Sequence, residues 1–394
     1  QAQKMSEEEL KSVDLGNAYT EDRPPYINDG YPVLKWQAGE VFEPEKPESR
    51  PDAWDGKETS QPQQKDGIYQ IGNAAELKWF ADQINSGKIE LKAVLTADID
   101  LNHQEFSSIG GSAENHAFRG TFDGAYKKIK GFYQDASESG YGLFAVNAGT
   151  VKNFTISGKA DARDVYGVVA GKNSGVIEGC TNEVSVNGGN QIGGIVGVNL
   201  KNGEVRRCRN KADIEGARMV GGIAGRNNTD ALIEECANSG TVLSVKEFCG
   251  GICAENEGNL LSCYNKGLIV CMSDILRAYA GGVAGHNAGY TSDIYNTGNV
   301  VSAGGYAGGV LGISTVGSLG SATAENLYGI GEVCGAFFEG ENAEEQYFVG
   351  GATGNRTDAV QNAYYLSDLK AAGGGIAKSS AEMKKKGFAL TLGT

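Results

Sequence analysis

The strongest constraint on this chain is a short pattern that recurs about seven times between residues 140 and 333. Its clearest copies read GGIVGVN (193–199), GGIAGRN (221–227), GGICAEN (250–256) and GGVAGHN (281–287). Seven to nine residues after each closing Asn comes a second signature: CTNEVSV from Cys180, CRNKADI from Cys208, CANSGTV from Cys236 and CYNKGLI from Cys263. A unit this short cannot bury its apolar face alone, so its copies must stack.

With the closing Asn as a ruler, the copies fall at Asn147, Asn173, Asn199, Asn227, Asn256 and Asn287, with Ser314 in seventh place, at spacings of 26, 26, 28, 29, 31 and 27. Four residues earlier stand Leu143, Val169, Ile195, Ile223, Ile252, Val283 and Val310, a mostly β-branched column that suits an inward strand position. A second column reads Phe154, Cys180, Cys208, Cys236, Cys263, Ile294 and Leu327. Cysteine that alternates with apolar residues in one slot behaves as a small buried hydrophobe. Two residues on, Asn182, Asn210, Asn238, Asn265 and Asn296 are placed to stack as an amide ladder and to satisfy turn backbone groups. Six after the Cys slot, Val186, Ile214, Val242, Ile269, Val300 and Val333 form another core column. About three short strands per rung, with Gly and Asn at the corners, predict an all-β fold. The expected architecture is a right-handed parallel β-helix, a β-solenoid of about seven coils rising about 4.8 Å each.

The flanks divide the chain further. Residues 1–37 read as an extended N-terminal arm, with a capping box at Ser6 and Glu9 and a turn at Asn28-Asp29-Gly30. Residues 38–66, with Pro44, Pro47, Pro51 and Pro62, read as an extended linker. Residues 67–135 hold a capping helix and the first strands. There Asn73 caps the helix, Gly87 ends it, and Leu77, Phe80, Ala81 and Ile84 share the face expected to cover the open first coil. Residues 136–335 are the rungs. Residues 336–394 read as an irregular C-terminal coil and a short helix with Ser379 and Glu382 as its capping box.

Composition narrows the partners. Gly at 59 of 394 residues suits a turn-rich folded chain, and a formal charge of −14 opposes nucleic acid or anionic membrane as partner. The longest apolar runs, as at 268–272, are about five residues, against the ~20 that span a bilayer, so no membrane span is expected. No signal peptide opens the sequence and no anchor closes it, so export is expected to depend on a segment outside it.

The residues give little sign of reaction chemistry. The three histidines, His103, His116 and His286, lie in separate segments without a zinc-hydrolase or triad spacing, and His286 occupies a variable slot expected to face solvent. Glu178, Arg206 and Glu234 are expected to stack as alternating surface charges, with Arg207 beside Glu235. Cys249 and Cys253 form a CxxxC, but other rungs fill those slots with Ile, Val or Ala, which favours packing. Eight free thiols are expected, because in-register parallel neighbours strain a disulfide. Asp98, Asp100 and Asp123 match no calcium loop. No catalytic residue, cofactor or metal is expected, and the chain is read as not an enzyme. Tyr264 and Tyr295 share one slot a coil apart, and either stack between rungs or offer rings to a glycan.

The GG[IV]xGxN and CxNxG rungs resemble the GLUG repeats of bacterial surface and secreted proteins, including stalk regions in the IgA-protease family. The stretches 97–101, Ile109-Gly110 and 118–124 are similar to the segment that precedes such rungs, and YPVLKWQ (31–37) to the phrase that ends such a module. The resemblance implies a secreted or cell-surface location and a role as a surface stalk or filament subunit, with an adhesin or glycan-binding module as the alternative. A module-ending phrase at the start of the chain looks permuted. Tyr31, Pro32, Val33, Leu34 and Trp36 are therefore the candidate arm for joining copies head to tail by β-augmentation. The partners implied are a further copy of the chain, neighbouring modules of a larger surface protein, or host or microbial glycans.

Overall fold

Each asparagine of the ruler closes a strand. Phe144–Asn147, Ala170–Asn173, Val196–Asn199, Ala224–Asn227, Cys253–Asn256, Ala284–Asn287 and Leu311–Ser314 form one parallel sheet in that order. Within it every ruler residue pairs with the next, from Asn147 with Asn173 to Asn287 with Ser314. The computed structural model describes residues 53–111, 116–135, 141–273, 278–315, 323–335, 349–354, 360–367 and 375–385, and the backbone of Tyr19–Thr20 and Val33–Leu34. The chain forms two units, Gln1–Glu48 and Ser49–Thr394. In the first, Tyr19–Thr20 pairs antiparallel with Val33–Leu34. The Ser6–Glu9 capping box, the 28–30 turn and Tyr31, Pro32 and Trp36 lie outside the described residues.

The second unit is a parallel β-solenoid. After Asn199 its coil runs through Glu204–Arg206, Arg209–Asn210 and Ile214–Gly221 before Ala224–Asn227 stacks on Val196–Asn199. That is one strand break more than the three-strand expectation, and the cause is local. Asn153, Gly179, Arg207, Glu235, Ser262, Asp293, Asn326 and Asn362 all have φ between 50° and 63°. Each directly precedes a member of the Phe154–Cys–Leu327 column or its continuation at Ala363. Strand side chains alternate, so Val205 pointing inward would turn Cys208 outward. The left-handed residue absorbs one position and lets both Val205 and Cys208 lie at 0% exposure.

Side chains of Val151, Ile177, Val205, Ile233 and Leu260 stack beside the Cys column, and Val186, Ile214, Val242, Ile269 and Val300 line the next face, all buried. The chain length between these columns is fixed in some places only. From the Cys slot to the next core column is always six residues, as Cys180 to Val186 and Leu327 to Val333. From the Ile192 slot to the ruler is always seven, as Ile192 to Asn199 and Ala280 to Asn287. All variation falls at two corners: between ruler and Cys slot, and between the third face and the following Gly-Gly.

Coils continue past both ends of the expected seven. Toward the N-terminus, Thr121–Gln134 stacks under Thr150–Asp161, Lys92–Leu95 under that, and Ile68–Ile71 under that. Gln63–Lys65 folds back antiparallel on Ile68–Ile71, and Trp54 packs against the core, so residues 53–66 are part of the solenoid end and not an extended linker. Helix α1 (Ala74–Asn85) covers this end. The Asn73 side chain accepts from the Glu76 N–H at 2.9 Å, and Leu77, Phe80, Ala81 and Ile84 are at most 1% exposed. Phe80 meets Phe118 and Phe122 at ring centroid distances of 6.2 and 6.0 Å.

Toward the C-terminus the rungs do not decay at Val333. Val349–Gly350 pairs with Ala307 and Gly308, Thr353 bridges Leu311, and Val360–Leu366 stacks on Thr323–Gly329, which makes an eighth rung from GGATGN (350–355). Ile376–Lys378 lies on Val360–Leu366, and α2 (Ser380–Met383) follows with the Ser379–Glu382 capping box formed.

Candidate functional site

Two asparagine ladders run through the interior, where sequence reading saw one. In the ladder expected at the corner, Asn182 Nδ2 donates to Asn210 Oδ1 at 2.7 Å, Asn210 to Asn238 at 2.7 Å, Asn238 to Asn265 at 2.7 Å and Asn265 to Asn296 at 2.8 Å. The ruler asparagines form the second, from Asn147 to Asn173 at 2.8 Å through Asn256 to Asn287 at 2.9 Å, and Asn287 donates to Ser314 Oγ at 3.3 Å. No member is more than 1% exposed. Many also tie the following corner, as Asn182 does by accepting from Val184 N–H and donating to Val184 O. The signal for the second ladder was Asn at six successive ruler positions, which a mere spacing marker would not need.

The thiols are built into the same interior. All eight cysteines are free and seven are buried. Down the column, Cys180, Cys208, Cys236 and Cys263 donate to the carbonyl two residues back at 3.1 to 3.5 Å. Phe154, Ile294 and Leu327 fill the same column at 0 to 2% exposure. Burial pushes the Cys180 and Cys236 thiols well above their usual range. Cys253 is pushed up by burial too and donates to Glu255 O at 2.9 Å. Among the described residues no group of three or more His, Cys, Asp or Glu is arranged to hold a metal ion. Asp98 pairs with Lys130 and Asp123 with Lys152, both at 3.3 Å, and they do not converge on one centre with Asp100.

Tyr264 and Tyr295 stack on each other at 5.0 Å and 5° between planes, and Tyr295 stacks on Tyr328 at 4.9 Å and 3°. Both faces of Tyr295 are therefore taken. Lys266 Nζ lies over the Tyr264 ring, 5.2 Å from its centroid, and Arg209 donates to the Tyr264 hydroxyl at 3.1 Å. A second row stacks Phe248 on Tyr279 at 4.8 Å.

Charged side chains pair across coils. Arg206 pairs with Glu234 and Glu204, while Glu178 is taken by Arg207, which also reaches Glu235 at 3.3 Å. One network lies deeper. Arg226, Glu255 and His286 stack in the column just before the ruler, with Glu255 3.0 Å from Arg226 and 3.4 Å from His286. The His286 side chain is only 19% exposed, beside the Phe248 and Tyr279 rings, so the solvent-facing expectation gives way to packing between rungs. Burial raises the Glu255 carboxyl, but the His286 hydrogen bond and the Arg226 charge outweigh it and hold the group below its ordinary range.

Stacked coils, inward amide ladders and buried thiols define a repeat-built β-solenoid whose specific polar chemistry is spent on coil-to-coil cohesion. The family model described as the GLUG motif matches residues 216–243, one full turn whose columns continue into the coils on either side. A crystal structure described as a "putative immunoglobulin A1 protease from Bacteroides ovatus" aligns over 82% of this chain and 88% of that one, at 21% identity and a TM-score of 0.50, and shares the fold. A solved "IgA1 Protease" aligns over 82% of this chain and 24% of that one, at 14% identity and a TM-score of 0.44. No curated protein matches the sequence. No helix among the described residues is long and apolar enough to cross a membrane.

Proposed function

We propose that the chain is an extracellular structural repeat protein without catalytic activity, a surface stalk or filament subunit joined head to tail through its N-terminal arm. The observation that carries the reading is the in-register stacking of every coil, with hydrogen-bonded amides running through it: side chains that elsewhere would face a substrate here bind the next rung. The arm has Val33–Leu34 in extended backbone, paired among the described residues with Tyr19–Thr20, and Tyr31, Pro32 and Trp36 lie beside that strand in the sequence. In the second unit Ile376–Lys378 is the last strand among the described residues, and its first two side chains are exposed. Strand addition from one copy to the next is a heterologous contact, which does not close and makes fibres. Removing residues 1–37 is expected to abolish filaments in negative-stain electron micrographs. Unchanged assembly, or monomers both with and without the arm, would sink the reading.

A glycan-binding role through Tyr264 and Tyr295 has less support, because a sugar stacks on a ring face, and both faces of Tyr295 and one of Tyr264 stack on other rings, with Lys266 also over the Tyr264 ring. Glycan-array binding lost in Tyr264→Ala would reverse that preference.

A further inference from the structure

One slot of the solenoid, next to the Cys column, holds tyrosine in four successive coils: Tyr264, Tyr295, Tyr328 and Tyr364 pair in register. Earlier coils fill it with Lys128, Thr155, Thr181, Arg209 and Ala237, so a coil does not need a ring there to fold. The Tyr264 and Tyr295 rings lie 5.0 Å apart at 5°, and Tyr295 and Tyr328 lie 4.9 Å apart at 3°. Rings this nearly parallel, on in-register strands, set each phenol edge beside its equivalent on the next coil. Tyr279 and Tyr306 are also in register but meet at 72°, edge against face, and the ring stacked on Tyr279 is Phe248, which has no phenol.

We propose that Tyr264 and Tyr295 form an oxidative cross-linking site, where a one-electron oxidant joins the two rings as dityrosine and ties adjacent coils covalently. Each phenol gives one electron to one oxidant molecule and its hydroxyl proton to water. The two phenoxyl radicals form one carbon–carbon bond between ring positions ortho to oxygen, and the hydrogens displaced there return to the oxygens. Two electrons reach the oxidant, two protons reach water, and one bond is made. The phenol edges stand several bonds from the backbone, so the side chains can tilt together across a coil rise of about 4.8 Å. Tyr264 is favoured over Tyr328 as the partner. Arg209 donates to the Tyr264 oxygen at 3.1 Å in an exposed contact, which leaves the O–H to give its proton to water. Burial instead pushes the Tyr328 phenol up to about 12, so that ring holds its proton more tightly. Lys266 over the Tyr264 ring does not oppose the step, because the radical formed is neutral.

The test illuminates the full chain, at high dilution, with ruthenium tris-bipyridine and persulfate, which generates ruthenium(III) as the oxidant. The monomer band of a denaturing gel is then digested with trypsin. Peptides 247–266 and 278–356 should emerge joined and lighter than their sum by two hydrogens, with dityrosine fluorescence and with fragments that place the link at Tyr264 and Tyr295. Tyr295→Phe keeps a ring in the stack without a phenol and should lose the joined peptides, while Tyr279→Phe should keep them. Illumination in concentrated urea should lose the single link, because the bond depends on the stack. An unlinked Tyr264 in the parent chain, a link from Tyr264 to any other tyrosine, or joined peptides that persist in Tyr295→Phe would overturn the assignment.

Discussion

A buried asparagine in a ladder answers to three neighbours at once, so its loss is felt beyond its own coil. Asn227 accepts from Asn199 Nδ2 and donates to Asn256 Oδ1 and to Asn259 O. Asn227→Leu leaves buried partners without bonds, at about 1–3 kcal/mol for each group, and should lower the urea midpoint clearly more than Lys211→Ala on the surface. The Arg226–Glu255–His286 stack makes a contrasting case, because Val198 and Ile313 occupy the same column on either side. Glu255→Val alone strands Arg226 beside one remaining partner, Glu257, and should destabilise. Replacing all three by Val should restore most of the loss in a thermal melt, as apolar replacement of buried ion sets does elsewhere. The sign of the pH effect follows from the lowered Glu255 carboxyl. Its contribution is present above the ordinary Glu value of about 4.3 and is lost as pH falls through the lower folded value. Melts below about pH 4 should therefore narrow the gap between the parent chain and Glu255→Gln.

Among elements, α1 has the most exacting task, because it closes an end that would otherwise present an open coil. Phe80→Ala empties a fully buried site among Phe118 and Phe122 and should cost about 3–5 kcal/mol. Aggregation seen by light scattering should accompany it, since the exposed end is a sheet edge. This helix was legible because Leu77, Phe80, Ala81 and Ile84 follow a helical period, and the core columns were legible because each coil repeats them in one register. Other features were masked by single residues. The left-handed column holds Asn, Gly and Asp, which favour that conformation, but Arg207, Glu235 and Ser262 broke the pattern. The eighth rung went unseen because it follows Ser314 after a gap longer than any rung, and Asn355 falls one place short of the ruler. The arm residues Tyr31 to Trp36 had no repeat to set them in register, so their role rests on the deletion test alone.

At the scale of the molecule, a solenoid is a sum of coils, each held mainly by its two neighbours. Removing residues 200–227 takes out one turn and should bring Asn199 into register with Asn256, with a cooperative melt and a particle shorter by about one 4.8 Å rise in small-angle scattering. Removing residues 200–213 cuts within a turn and should prevent folding, since every column above the cut loses its place. The two corners where chain length varies have a further meaning. Inserted segments there lengthen the surface and leave the six- and seven-residue stretches between columns untouched. Chains built this way can exchange their outer loops while the interior that sets their pitch stays the same.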